Sequence, residues 1–147
     1  MAHVTFKGGV FPHKRKRFTR EKALKEYLPK GDLIYPLRQH IGGTAVPVVA
    51  VGDRVLEGQL LAKASGDISA PVHASVSGTV KAIEPRKTVS GKEILSVVVE
   101  NDGLYEKMPV SEIKPWQELE VGERLRRIQE AGVVGMGGAG FPTHIKL

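Results

Sequence analysis

A mainly β fold with one short C-terminal helix is predicted by three features of this 147-residue chain. Apolar segments of strand length recur between residues 34 and 100, turn dipeptides separate them, and a single helical repeat stands near the end. Aromatics are only 5% of the residues while Gly (17) and Pro (9) are plentiful, which favours short strands and tight turns over a helical bundle. A hydrophobic share of 41% is enough for a buried core and argues against disorder.

Residues 1–35 read as a basic, irregular segment, interrupted by Gly8, Gly9, Pro12, Pro29 and Gly31. Only Thr19–Tyr27 has helical character there, with Thr19 as its cap and Pro29 as its stop. Residues 36–101 form the expected β domain, with strands Val46–Val51, Gln59–Ala64, Gly78–Ile83 and Ile94–Val99. Gly52-Asp53, Glu57-Gly58, Ser65-Gly66-Asp67, Ser77-Gly78 and Ser90-Gly91 supply the turn chemistry. A polar connector, 102–116, holds Asp102-Gly103, Pro109 and Pro115. The last unit, 117–147, is a helix plus a glycine-rich loop. Val121, Leu125 and Ile128 recur at i, i+4 and i+7 in the helix Gln117–Ala131, and Gly132 is placed to end it.

Lys and Arg number 22 against 16 Asp and Glu, for a net charge of +6, so an anionic partner is expected. Much of the excess lies in Lys14, Arg15, Lys16 and Arg17, with Arg20 and Lys22 close behind. No recognition helix or aromatic platform accompanies that run. It therefore reads as a solvated face or a docking surface for an acidic neighbour or membrane, and nucleic acid is not expected. With no cysteine, the chain has no thiolate nucleophile and no Cys ligand for an iron–sulfur cluster. His3, His13, His40, His73 and His144 show no i, i+4 pair with an acidic third ligand, so no metal site is expected. Ser65, Ser75 and Ser77 lack a nucleophile-elbow pattern. Trp116, after Pro115, reads as an anchor for the domain junction. No apolar run approaches the roughly 20 residues that span a bilayer.

The strongest chemical signal is Gly135-Met136-Gly137-Gly138-Ala139-Gly140-Phe141-Pro142-Thr143, with Lys146 three residues on. Dense glycines let backbone approach a ligand closely and turn successive N–H groups toward one anion. Gly135, Gly137 and Gly140 fit G-x-G-x-x-G, but a dinucleotide βαβ unit needs a strand before the loop and a helix directly after it. Here a helix precedes and Phe141-Pro142 follows. A triphosphate P-loop fails because Phe141-Pro142 stands where its Lys-Ser/Thr pair belongs. A flexible linker or a tight helix-to-strand connection is the plain alternative, but Phe-Pro-Thr and a spaced Lys are poor linker chemistry.

The segment from Val51-Gly52-Asp53 to Gly58-Gln59-Leu60-Leu61-Ala62, followed by Ala74-Ser75-Val76-Ser77-Gly78-Thr79-Val80, resembles the two signature turns of biotinyl and lipoyl carrier domains. That resemblance implies a barrel-sandwich hybrid. In the carriers the modified lysine sits at the hairpin tip between these segments. Here the tip is Ala64-Ser65-Gly66-Asp67-Ile68-Ser69, and the nearest lysine, Lys63, falls in the preceding strand. The expectation is a carrier-like fold that carries nothing.

The string from Gly135 to Lys146 is similar to the FMN-binding loop of the NADH-oxidising subunit of respiratory complex I. Taken with the carrier-like turns, Gly8-Gly9-Val10 and Pro36-Leu37-Arg38-Gln39-His40-Ile41-Gly42, the chain resembles the RnfC family, the peripheral NADH-dehydrogenase-like subunit of the Rnf electron-transport complex. The resemblance implies an amino-terminal barrel and the opening of an α/β FMN- and NADH-binding domain, cut short after the motif. It also implies electron transfer from or to NAD(H) through FMN and 4Fe-4S clusters, in a complex on the inner face of the cell membrane. Implied partners are the other subunits of that complex, with ferredoxin or NAD(H). The implied cofactor residues are Gly135, Gly137, Gly138 and Gly140 at FMN and its phosphate, Phe141 where the nicotinamide cofactor passes, and Lys146 at the flavin. Met136 stands where the complex I subunit has Arg. No catalytic residue is assigned, and the chain alone is expected to be inactive. The competing reading is a docking or scaffold module for other subunits.

Overall fold

The run Glu93–Asn101 combines Ile94, Leu95, Val97, Val98 and Val99 with no breaker, and β-branched residues of this kind favour a pleated, buried strand. In the computed structural model, which describes residues 13, 15–110 and 114–147, this run is β7, inside a four-stranded antiparallel sheet. It lies between β1 (Asp32–Pro36) and β6 (Gly78–Lys87), and β3 (Arg54–Val55) pairs the far edge of β6. Ser96 through Val99 are all buried, so both faces of the strand are covered there. A three-stranded sheet packs against it, ordered β2 (Val46–Pro47), β4 (Leu60–Lys63), β5 (Val72–His73).

The core lies between the sheets. Tyr35, Val55, Val80, Val97 and Val99, with adjoining Leu37, meet Leu61, Ala62 and Val72 of the smaller sheet. Each fully buried Val or Leu contributes about 1.5–3 kcal/mol. The small Ala45, Ala74 and Val76 fill the connecting turns.

Several elements differ from the sequence-based expectation. β1 begins at Asp32, inside the segment read as irregular, because Leu33-Ile34-Tyr35 finds the open edge of β7. β2 is shorter than Val46–Val51, since Pro47 has no N–H to give a ladder and is confined to this edge strand. The β6–β7 ladder runs on to Lys87 and Glu93, past the expected Ile83 end. No helix forms at Thr19–Tyr27. A 3-10 turn, Lys16–Phe18, ends at Thr19, and Leu24 and Tyr27 are exposed with no surface to pack on, which leaves so short a helix without support. The segment is fastened later, where Asn101 Nδ2 and Tyr105 Oη both donate to the Pro29 carbonyl at 2.7 Å.

The tip that holds the modified lysine in carrier domains is closed in this chain. Gly43 N–H donates to the Ile68 carbonyl, and Ser69 Oγ donates to the Gly43 carbonyl. A Cβ on Gly42 would fall on the Ile68 carbonyl oxygen, so the turn lies directly against Gly42-Gly43. Lys63 ends β4 and is exposed.

The helix α1 spans Val121–Glu130, and its first predicted turn is instead a separate 3-10 turn, Trp116–Glu118. Gly132 ends α1 as expected. With φ +70°, it donates to the Gln129 carbonyl while Val133 N–H donates to the Ile128 carbonyl, the paired bonds of a Schellman cap. Gly132 also packs against Pro71 and the His73 ring, which joins α1 to the smaller sheet. Burial holds the His73 pKa below its ordinary 6.5, so the folded chain keeps the ring neutral where the unfolded chain takes up a proton. Stability from this group is therefore complete above pH 6.5 and falls as pH drops from there to the depressed folded value. His73→Gln should flatten that window of the urea-midpoint profile against wild type. An unchanged slope there would show that His73 is not the group responsible.

Candidate anion-binding cleft

Beyond α1 the chain turns back on itself. Val134 and Pro142 form an isolated antiparallel bridge, Gly135 N–H donates to the Phe141 carbonyl at 2.9 Å, and Thr143 N–H donates to the Val133 carbonyl at 3.0 Å. Pro142 is buried beneath this closure. Residues 135–141 are thus a loop pinned at its base, with Met136 to Ala139 exposed at its crest. Gly138 and Gly140 take φ values of +61° and +63°, which reverse the peptide direction on either side of Ala139. The N–H groups of Met136, Gly137, Gly138 and Ala139 have no backbone acceptor among the described residues. Four donors are therefore left for solvent or an anion.

The loop is held to the barrel by backbone. Ile41 N–H donates to the Ala139 carbonyl at 2.8 Å, and a Cβ on Gly140 would stand 3.1 Å from the Gln39 carbonyl oxygen. Segment 36–41 is itself fixed: Leu37 N–H donates to the Leu95 carbonyl, and His40 is buried. Ala70 N–H donates to His40 Nε2 at 3.0 Å, and His40 Nδ1 lies 2.9 Å from the Ile41 carbonyl oxygen. A buried histidine thereby ties the loop's landing strip to the segment just before β5.

Between loop and barrel lies an open cleft of about 790 Å³. One wall is Gly135, Met136, Gly138, Ala139 and Gly140; the floor is Pro36 and Arg38 to Ile41; the other wall is the β6–β7 tip, with Lys87, Val89 and Lys92. Its charged lining residues are Arg38, Lys87 and Lys92, and it contains no carboxylate. Of the cofactor residues implied by the sequence, the structure brings Gly135, Gly138 and Gly140 into this cleft. Gly137 lies at the crest and accepts the Gly140 N–H through its carbonyl. Phe141 and Lys146 lie together outside the lining, with Lys146 Nζ 5.5 Å from the centre of the Phe141 ring.

Sequence reasoning missed Arg38, Lys87 and Lys92. Arg38 stands in the quoted Pro36–Gly42 string, and Lys87 and Lys92 flank the recognised Ser90-Gly91 turn, but no local pattern says that these stretches face the glycine loop. Trp116 does not anchor a junction by burial. It is 63% exposed, and the Arg124 guanidinium covers its ring at 5.0 Å while donating to the Leu119 carbonyl. In the basic amino-terminal run, Arg15, Lys16, Arg17 and Arg20 are exposed, with Arg17 stacked 4.4 Å from the Phe18 ring centre; Lys14 lies outside the described residues. Among the described residues no group of three or more His, Asp or Glu converges as metal ligands, and no helix is long and apolar enough to cross a membrane.

Two facing sheets joined by the Val51-Gly52-Asp53 and Ser77-Gly78 turns define a barrel-sandwich hybrid, here with a glycine-rich loop docked on its rim. Residues 4–104 match the family model described as the RnfC barrel sandwich hybrid domain, and the chain belongs to that family. Relatives include the C subunit of the Na(+)-translocating ferredoxin:NAD(+) oxidoreductase complex of Acetobacterium woodii, 43% identical over 99% of this chain and 33% of that protein. The C subunit of the proton-translocating ferredoxin:NAD(+) oxidoreductase complex of Clostridium ljungdahlii is 44% identical over 97% of this chain and 32% of its own length. The C subunit of the ion-translocating oxidoreductase complex of Vibrio cholerae is 38% identical over 97% of this chain and 19% of its own. The chain thus spans a third or less of these relatives.

Proposed function

We propose that this chain is the amino-terminal portion of an electron-transfer subunit that exchanges electrons with NAD(H) through FMN and iron–sulfur centres in a membrane-associated complex. The names of the relatives, C subunits of ferredoxin:NAD(+) oxidoreductase complexes, support the reading. The observation that carries it is the crest of the glycine loop, where Met136, Gly138 and Ala139, whose N–H groups have no backbone acceptor among the described residues, line a cleft with three cationic residues and no carboxylate. That donor set suits a phosphate ester. Open space beside Gly137 and Gly138 leaves room for a group to approach the backbone.

In this reading the backbone of Gly135, Gly137, Gly138 and Gly140 approaches FMN and its phosphate, with the free N–H groups of the crest as the donors, and residues 117–147 open the flavin domain. Phe141 and Lys146, already paired, offer an aromatic face for the nicotinamide cofactor and a cation for the flavin. Bound FMN would supply the exchange between two-electron hydride chemistry and one-electron carriers. The chain's own part is to bind and orient, and because it contains no cysteine, any cluster would take its thiolate ligands from elsewhere.

Titration with FMN, followed by quenching of flavin fluorescence, tests the assignment. Gly138→Asp adds a carboxylate where a Cβ meets nothing within 4 Å, and Asp tolerates the left-handed backbone there better than most residues. The loop should keep its shape while like charge repels the phosphate. Affinity is expected to fall at least tenfold, about 1.4 kcal/mol. Saturable binding that Gly138→Asp leaves unchanged would rule the loop out as the phosphate site.

A further inference from the structure

We propose that Arg38, Lys87 and Lys92 form a cationic wall that binds the phosphate of a phosphorylated small ligand in the glycine-loop cleft, so that half of the anion site belongs to the barrel. The inference rests on reading the loop as a phosphate site and adds the second set of contacts.

Ion pairing separates these three cations from their neighbours. In the same hairpin, Lys81 pairs with Asp32 at 2.7 Å and Arg86 pairs with Glu84. Arg54 is shared between Asp102 and Glu106, and Arg126 lies between Glu123 and Glu130. Among the described residues no carboxylate pairs with Arg38, Lys87 or Lys92. Glu93, the register partner of Lys87, does not line the cleft. Unneutralised cations across a concave surface from free N–H groups concentrate positive potential in one place.

The backbone that carries the three is held in position. Thr88 N–H donates to the Lys92 carbonyl at 3.0 Å and Gly91 N–H to the Thr88 carbonyl at 2.9 Å, which closes the β6–β7 tip between the two lysines. Gln39 Nε2 donates to the Pro36 carbonyl at 3.0 Å, beside Arg38. Arg offers a planar fork for two phosphate oxygens, while the lysines act as point charges on flexible stems. Such a wall fits either a phosphate monoester such as FMN or the diphosphate of a dinucleotide.

The test uses the whole chain carrying Arg38→Gln, Lys87→Gln and Lys92→Gln together. All three side chains are exposed and outside the core, so the urea midpoint should stay at the wild-type value. FMN affinity is expected to fall about tenfold, and the dependence of log Kd on log salt to become shallower. Riboflavin, which has no phosphate, should bind both proteins equally. A second triple variant that conserves charge, Arg38→Lys with Lys87→Arg and Lys92→Arg, should keep most of the wild-type affinity. Competition identifies the source: inorganic pyrophosphate displacing FMN at lower concentration than inorganic phosphate marks a diphosphate seat, and the reverse order marks a monoester seat. Unchanged FMN affinity and salt slope in the glutamine variant, with Gly138→Asp still losing binding, would overturn the wall and leave the loop assignment standing. Unchanged binding in both the glutamine variant and Gly138→Asp would remove the loop assignment and the wall with it.

Discussion

Gly78→Ala is expected to cost the fold about 3 kcal/mol, the upper range for forcing extra volume into a packed interior. Gly78 opens β6 and is paired on both sides, with Val55 of β3 and Asn101 of β7. A Cβ there would land on the Glu100 carbonyl oxygen and stand 3.2 Å from the Asn101 Cα. Every obstacle is backbone, so no side chain can rotate away; β6 and β7 must separate. Separation would also strain the buried Ser77, whose Oγ donates to Asp102 Oδ1 at 2.7 Å and accepts the Glu106 N–H at 2.9 Å. Arg54 closes the same network through Asp102 and Glu106, and the Ser77 hydrogen bond leads the interactions that lower the Asp102 pKa. Urea unfolding should show a lower midpoint with an unchanged slope. A midpoint at the wild-type value would mean that the strands accommodate the methyl group, and that the close approach is not structurally required.

The same contact explains why parts of the fold could be read from sequence. Ser77-Gly78 and Gly52-Asp53 are local turn signals, and the strands beside them, β4 and the first half of β6, lie where the alternation puts them. Gly132 was readable for the same reason, because a helix stop is written in adjacent residues. β1 was not: Leu33-Ile34-Tyr35 is a short run whose strand character comes from its pairing with Val97 to Val99, far along the chain. β3 and β5, at two residues each, have no periodicity to detect. Thr19–Tyr27 failed in the other direction, since local propensity needs an apolar surface to become a helix. The cleft divides similarly. Its glycine wall is a contiguous motif, whereas its cationic wall is assembled by register from Arg38 and a hairpin tip. Connector residues 102–116 gave only polarity, yet Met108 N–H donates to the Glu57 carbonyl and Glu57 N–H to the Glu106 carbonyl, which bind the connector's first half to the barrel.

Gly140→Val should separate the proposed FMN binding from the fold. The residue sits where the loop meets the barrel, with φ +63°, a conformation in which a β-branched side chain is strained by roughly 1–3 kcal/mol. Its Cβ would also press on the Gln39 carbonyl oxygen at 3.1 Å and the His40 Cα at 3.3 Å. Relief requires the loop to lift from segment 36–41, breaking the bond from Ile41 N–H to the Ala139 carbonyl. The whole crest then moves away from the barrel residues that line the cleft, so the loss should exceed that of Gly138→Asp, reaching about a hundredfold in FMN affinity. The barrel should survive, because the core cluster contains no residue of the loop. A wild-type urea midpoint with a hundredfold weaker Kd is therefore the expected pair of results. Wild-type affinity in this variant would show that the docked position of the loop is irrelevant to the ligand, whereas a collapsed midpoint would show that the loop is part of the fold's foundation.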